Sequence, residues 1–461
     1  MKTEREIALA LLMRAEKEET LSFDAMLAKA LSNLDDEAGF HRSFLTRLAQ
    51  GTYRFLPRLD YVIDSYASTP AKRMKPLIRN LLRMSVYQIL FLTDVPDASA
   101  CDEAVKLAVK RGFRELKGFV NGILRTIVRE KEHIAYPAPE DESYMRVMYA
   151  MPDDVVQHFI THYGREAAMG MCMSLLLPKP VCIRLRNARM EADGVTKEIL
   201  FAKMKEQRLA LETEEHCFFE DSVLILHGGN PATLYGFAEG YFTVQDAAST
   251  LAVVLSGVKE GDTVIDVCAS PGGKAACAYD LMNGKGCVIA RDVSETKVAK
   301  MKETFARLQI DDISCAVHDA RVADEVLNET ADVLLCDVPC SALGIIGKKP
   351  EVKYRTSKEA RASLVSLQRE IINNVWRYVK EGGILLYSTC TINPKENEEQ
   401  VEWITAHLPF ERVDLSKRAP KALSAEKDLK NGMLQLLPGD YDTDGFFISA
   451  LRRKPLNKDK T

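Results

Sequence analysis

The sequence predicts a multidomain protein: an all-α N-terminal bundle, a small α+β middle domain and a C-terminal α/β domain of the nucleotide-binding class. Three observations carry that prediction. Apolar residues recur near the helical period over residues 1–133, and the stretch Thr263–Met282 reads strand, tight loop, helix. Between them, Tyr136-Pro137-Ala138-Pro139-Glu140-Asp141 forms a proline-rich acidic link. A chain of 461 residues is too long for one typical domain, so two or three are expected.

The first domain, 1–133, is read from Ile7, Leu11 and Leu12, then Met26, Leu27 and Leu31, then Leu77, Leu81, Met84, Ile89 and Leu90, punctuated by Pro57, Pro70, Pro76 and Pro96. Between Lys72 and Arg129 stand twelve Lys or Arg against five acids, although the whole chain carries a net charge of −4. A phosphate-binding face and an ordinary solvated helical surface both fit that local excess. The middle domain, 142–236, reads as helices near 153–163, 166–174 and 194–205 with strands at 181–185 and 222–226. On it, Lys179, Arg184 and Arg186 are expected to reach phosphates, with plain surface charge as the alternative.

The last domain, 237–455, opens with Gly240–Ser249 and then the strand Val264-Ile265-Asp266. Pro271-Gly272-Gly273 breaks the chain before a helix over 275–282, and Lys274 adds a cation there. Paired glycines admit a ligand to the backbone, and the helix offers free N–H groups. The spacing matches neither a P-loop nor the dinucleotide fingerprint. A second strand ends at Asp292, where an acid binds a ribose diol; the alternative is an N-cap for the next helix. The strand 313–317 leads to Asp319, that at 331–336 to Asp337-Val338-Pro339-Cys340-Ser341, and that at 383–387 to Ser388-Thr389-Cys390. In an open parallel sheet these tips face one crevice, so Cys340 and Cys390 are expected to meet above one nucleotide. A last strand is expected at 444–451, and the basic stretch Arg452–Lys460 is expected to be a disordered tail.

Composition narrows the class. A pI near 6.2 leaves nucleic-acid contact to local patches. No run of 18 apolar residues exists and the start MKTEREIALALL lacks a signal-peptide core, so a soluble cytoplasmic protein without membrane contact is expected. Eleven cysteines include no Cys-x-x-Cys pair, and no metal site is expected.

Asp266-Val-Cys268-Ala269-Ser270-Pro271-Gly272-Gly273-Lys274, Asp337-Val-Pro-Cys340-Ser and Ser388-Thr-Cys390-Thr-Ile-Asn-Pro-Lys-Glu-Asn-Glu, in this order, resemble the signature blocks of the S-adenosylmethionine-dependent RNA cytosine-C5 methyltransferases. Within that family the resemblance is to the bacterial enzymes of 16S ribosomal RNA. It implies a NusB-like helical head, seen also in Glu103–Ala108 and Gly118–Arg125, a ferredoxin-like middle domain and a Rossmann-like class I methyltransferase domain. The implied cofactor is S-adenosyl-L-methionine, held by residues 268–274, Asp292, Asp319 and Asp337. The implied partner is 16S rRNA, bound by a monomer before or during small-subunit assembly.

The resemblance assigns attack on C6 of the cytosine to Cys390, product release to Cys340 and base recognition to Asp337. The residues alone leave the two thiol roles exchangeable. Lys348, Lys349, Lys353 and Arg355 are expected at the catalytic mouth, a solvated loop being the alternative. Three positions depart from the family: Ser270 for alanine, Ala342 for glycine and Thr391 for serine. Of these Ala342 bears on mechanism, because a lost glycine restricts the loop that carries Cys340. Competing readings are the same chemistry on transfer RNA and a non-catalytic RNA-binding factor.

Overall fold

The computed structural model describes residues 3–18, 21–33, 40–177, 179–227 and 229–455. By its internal packing the chain divides into two units, Met1–Leu177 with Ile346–Ser357, and Pro178–Ile345 with Lys358–Thr461. The helices over Tyr144–Met148 and Asp153–Leu176 thus pack with the head, while the strands expected beside them belong to the second unit.

The first unit is helical. Its opening helix, Glu4–Ala15, starts in a capping box in which Thr3 and Glu6 exchange side-chain and backbone bonds. Pro76 sits in the first turn of Pro76–Phe91, where its missing N–H costs nothing. Leu9, Leu45, Leu48, Leu81 and Leu124 from four helices are buried in one core, each worth roughly 2 kcal/mol of transfer free energy. Gly164, at φ 79° and ψ 165°, kinks Asp153–Leu176 where the sequence predicts the gap between two helices.

The second unit holds two sheets. In the smaller, β1 (Val181–Leu185), β2 (Glu212–His216), β3 (Phe219–His227) and β4 (Phe242–Val244) lie in the order β2-β3-β1-β4, all antiparallel. The larger contains β5 (Thr263–Asp266), β6 (Cys287–Asp292), β7 (Ile313–Val317), β8 (Ala331–Asp337), β9 (Val379–Thr389), β10 (Phe410–Arg412), β11 (Met433–Leu436) and β12 (Phe446–Arg453). Its order is β10-β12-β9-β8-β5-β6-β7, with β11 on β12. The strands from β9 through β7 run parallel, and β12 returns antiparallel to β9. Strand order reverses between β5 and β8, the switch point at which a crevice opens above an α/β sheet. The sheet core is apolar on both faces, with Val264, Leu334, Leu335, Leu385 and Leu386 buried.

Three expectations are corrected. Arg184 and Arg186 are buried, not phosphate-facing: both bind Asp280 at 2.8 Å, and Arg184 also donates to Gln245 Oε1 at 2.8 Å. They fasten the small sheet to the helix Gly273–Leu281, and Lys179 donates to Thr443 O at 2.8 Å. Lys353 and Arg355 lie on the segment that packs in the first unit. Buried Lys353 donates to Arg54 O at 2.8 Å and Ala150 O at 2.7 Å, and Arg355 to Glu18 O at 2.7 Å and Leu21 O at 2.8 Å. Burial pushes the Lys353 ammonium down to about 7. Finally, Arg452 and Arg453 continue β12, and Arg453 pairs with Glu329 at 2.8 Å. Lys454 N donates to Pro409 O at 2.8 Å, and the expected tail from 456 on lies outside the described residues.

Candidate active site

The loop after β5 turns within six residues into the helix Gly273–Leu281. Gly272 makes that turn possible on two counts: its φ is +104°, and a Cβ there would meet the Phe305 ring at 2.8 Å. Asp266, at the β5 tip, is 1% exposed and takes the Cys268 N–H at 3.3 Å. Burial drives its pKa up to about 7, against the pull of Lys274.

Asp292 ends β6 with its carboxylate turned back over the loop, accepting from Ser270 N at 3.0 Å, Val293 N at 2.8 Å and Lys297 Nζ at 2.9 Å. It is not the next helix's N-cap, because Ser294 fills that place by accepting from Lys297 N. Asp319 serves the turn after β7: the Arg321 guanidinium and N–H hold it, at a pKa lowered to about 2. Cys268, Ser270, Asp292, Asp319 and Asp337 line one cavity of about 440 Å³. A second, of about 180 Å³, shares Cys268, Ser270 and Asp337 with it and adds Ala269, Pro271, Gly273 and Lys274. The two meet at the tips of β5 and β8, and neither is lined by Cys340 or by the β9 tip residues Ser388, Thr389 and Cys390.

Asp337 is engaged on both oxygens, by Lys274 Nζ at 2.7 Å and Ser388 Oγ at 2.9 Å. Burial works against the charge of Lys274, yet the Asp337 carboxylate outweighs it and the Lys274 pKa is raised. Beyond these tips the two motif cysteines converge, Cys340 Sγ and Cys390 Sγ lying 3.4 Å apart. The hydrogen bond with Cys390, then burial, pushes the Cys340 thiol well up. The loops are tied together by Gly344 N to Cys390 O at 3.1 Å and by the Ser341 and Thr391 hydroxyls at 2.7 Å, so threonine at 391 keeps the hydroxyl used here. Ala342 sits at φ +55°, a left-handed torsion that strains a residue with a Cβ.

Sequence reasoning passed over the residues that hold these loops. Buried Glu396 takes Ser341 N at 2.8 Å, and buried Asn397 donates to Thr391 O at 3.0 Å while accepting from Thr389 Oγ1 at 2.6 Å. Both stand in the Asn-Pro-Lys-Glu-Asn block, which was the available signal. Gln368, on the helix Lys358–Val375, carried none. Among the described residues no group of three His, Cys, Asp or Glu could hold a metal ion, and no helix is long and apolar enough to cross a membrane.

Comparison with known proteins agrees with this architecture. A family model described as 16S rRNA methyltransferase RsmB/F matches residues 252–452, and that of the NusB family matches residues 2–129. The chain is 35% identical over 456 residues to the probable ribosomal RNA small subunit methyltransferase B of Bacillus subtilis (strain 168), covering 98% of each. The crystal structure of PH0851 is similar at TM-score 0.77 and 24% identity, over 98% of this chain and 99% of that one. That of NSun6 from Pyrococcus horikoshii with SFG is similar at TM-score 0.57 and 20% identity, over 67% of this chain and 100% of that one. At such identities the two structures speak for the fold. The relative in Bacillus subtilis, matched along nearly its whole length, carries the stronger conclusion: the chain belongs to the ribosomal RNA small subunit methyltransferase B family, S-adenosylmethionine-dependent enzymes with a NusB-type helical head and a Rossmann-like catalytic domain.

Proposed function

We propose that this protein methylates C5 of a specific cytosine in 16S rRNA through a covalent Cys–C6 intermediate, acting in the cytoplasm as a monomer before or during small-subunit assembly. The observation that carries the reading is the 3.4 Å approach of Cys340 and Cys390 beside the crevice. The residues there fit S-adenosyl-L-methionine. Carboxylates at the tips of β5, β6 and β8 suit a cationic ligand bearing a diol, and Gly273 lines the loop side of the smaller cavity without a side chain. Asp292 would hold the ribose, Asp319 the adenine side, and Cys268 to Lys274 the loop side. When bound, the cofactor supplies an electrophilic methyl carbon.

C5 of cytosine is too weakly nucleophilic to take that methyl unaided. Cys390 Sγ adds to C6, and the C5–C6 π pair moves to C5, which then becomes nucleophilic. Asp337 accepts from N4 or balances a protonated N3 as this charge develops. Once C5 is methylated its hydrogen leaves as a proton, the C5–C6 double bond re-forms and the C6–S bond breaks with its pair returning to Cys390. Cys340, in contact with that sulfur, assists the departure. Attack from above the ring requires a single-stranded or flipped-out base. On the head, Lys72, Arg73, Arg111, Arg114, Lys117 and Arg125 are exposed and suit phosphates.

The test uses 16S RNA carrying 5-tritiated cytosine. The wild type should release tritium, Cys390→Ala should lose methylation by about 10⁴-fold or more, and Cys340→Ala should accumulate a covalent RNA adduct. An adduct trapped by Cys390→Ala instead would reverse the two thiols, and no release by the wild type would end the reading.

A further inference from the structure

The two facing sulfurs have unlike surroundings. On the Cys340 side lies Glu396, fully buried, whose Oε2 accepts from Ser341 N at 2.8 Å and Gln368 Nε2 at 3.0 Å, and whose Oε1 accepts from Asn393 Nδ2 at 2.8 Å. Three donors and no acceptor meet its carboxyl group, the pattern that an ionised carboxylate satisfies. The same Gln368 amide donates to Pro339 O at 2.9 Å, so Glu396 and Gln368 grip the residues on either side of Cys340. On the Cys390 side the nearby charge is positive: the Lys274 ammonium, paired with Asp337 and within electrostatic reach of Cys390. A buried negative charge beside one thiol and a largely covered positive charge near the other polarise the pair.

We propose that Glu396 is a positioning residue: it fixes the Cys340 loop against Cys390 and sets a buried carboxylate beside that thiol, so that Cys340 offers its S–H as a hydrogen-bond donor to the Cys390 sulfur during product release. This rests on the reading of Cys390 as nucleophile. The step balances as follows. The C5 proton passes to water, the C5–C6 double bond re-forms and the C6–S bond breaks with its electron pair on Cys390 Sγ. That sulfur leaves as the thiolate and accepts a hydrogen bond from Cys340 S–H, which keeps its proton.

The groups facing Cys340 are few. Cys390 and Glu396 both favour its thiol form, with burial, while the Ala342 N–H opposes them. Tyr387, whose hydroxyl donates to Glu396 O at 2.6 Å, is itself kept neutral by burial and by these same negative neighbours. Cys390 faces Cys340 and Lys274.

The test is the rate at which iodoacetamide alkylates each cysteine of the full chain from pH 6 to 9, read by peptide mass spectrometry. In the wild type at neutral pH, Cys390 should react about tenfold faster than Cys340 or more. In Glu396→Gln, Cys340 should gain about tenfold, the thiolate increase of one pKa unit. With RNA, the same variant should lose kcat at unchanged KM and accumulate adduct. Gln368→Met loosens the loop but keeps the charge, so it should slow turnover and leave the Cys340 pH profile in place. An unmoved profile in Glu396→Gln, an equal shift in Gln368→Met, or a wild-type Cys340 as reactive as Cys390 would each overturn the proposal. Should Glu396→Gln not fold, the wild-type order decides alone. Alkylation involves neither RNA nor cofactor, so a failed tritium assay would sink the methylation reading while these rates are still measured.

Discussion

Charge is handled in opposite ways by the helical head and by the strand-tip crevice. On the head, four of the twelve basic residues between 72 and 129 are spent on acids three or more positions away: Arg79 and Arg83 bind Glu16, Arg83 also binds Asp60, Lys106 binds Glu103 and Lys110 binds Glu6. The cations that remain exposed act through solvent, where salt screens them. In the active site Asp266 and Glu396 are out of water and Lys274 is largely covered, and their worth lies in what they do to the next group. Charge that attracts a polyanion must be accessible, and charge that differentiates two thiols must be buried.

Breaking a buried pair should produce the largest stability effect. Arg186→Met leaves Asp280 with Arg184 alone and the Leu308 carbonyl without its donor, and should cost about 3 kcal/mol, seen as a lower Tm in calorimetry. Lys353→Met should cost about 2 kcal/mol through the Arg54 and Ala150 carbonyls. The Lys353 contribution also depends on pH with a definite sign. Its folded pKa, about 7, lies below the ordinary lysine value of 10.5, so between these the unfolded chain holds a proton that the folded one has released. Wild-type stability relative to Lys353→Met should therefore rise with pH across that window, and a difference that falls or stays flat in Tm titrations would refute a buried neutral amine.

Exposed charge should behave otherwise. Reversing Arg111 and Lys117 to Glu should weaken RNA binding about tenfold and lower the salt slope by about 1.5 or more, with Tm nearly unchanged. A large Tm loss would mean that these side chains are structural like Arg184, and would erase the contrast. The smallest effect belongs to Ala342→Gly, which removes a strained torsion worth about 1 kcal/mol but frees the unfolded chain. Denaturant titration should show a gain of up to about 1 kcal/mol, and a loss of that size would show that the methyl group packs.

The central strand tips were legible because β5, β8 and β9, buried on both faces, carry apolar runs that stop at Asp266, Asp337 and Ser388. The helical head was legible from its period. What stayed hidden depended on partners far along the chain. Nothing local distinguishes Arg184 on an exposed strand from Arg184 meeting Asp280 across 96 positions, or Lys353 in a solvated loop from Lys353 bound to the carbonyl of Arg54. Short β10 and β11 escaped notice because three or four residues carry too little alternation, and Arg453 looked like a basic tail until Glu329 gave it a partner. Glu396 was visible as a letter in a motif, but its purpose lies 55 residues earlier, at Ser341.

The head is not contiguous in sequence, and that limits how the protein can be dissected. Tyr354 sets its ring edge-on to Tyr53, 5.2 Å between centroids, and donates its hydroxyl to Tyr53 O at 2.9 Å, although some 300 residues separate them. A fragment ending at Leu177 would lack part of its own interior, and a peptide spanning 346–357 would be the missing piece to add back in trans.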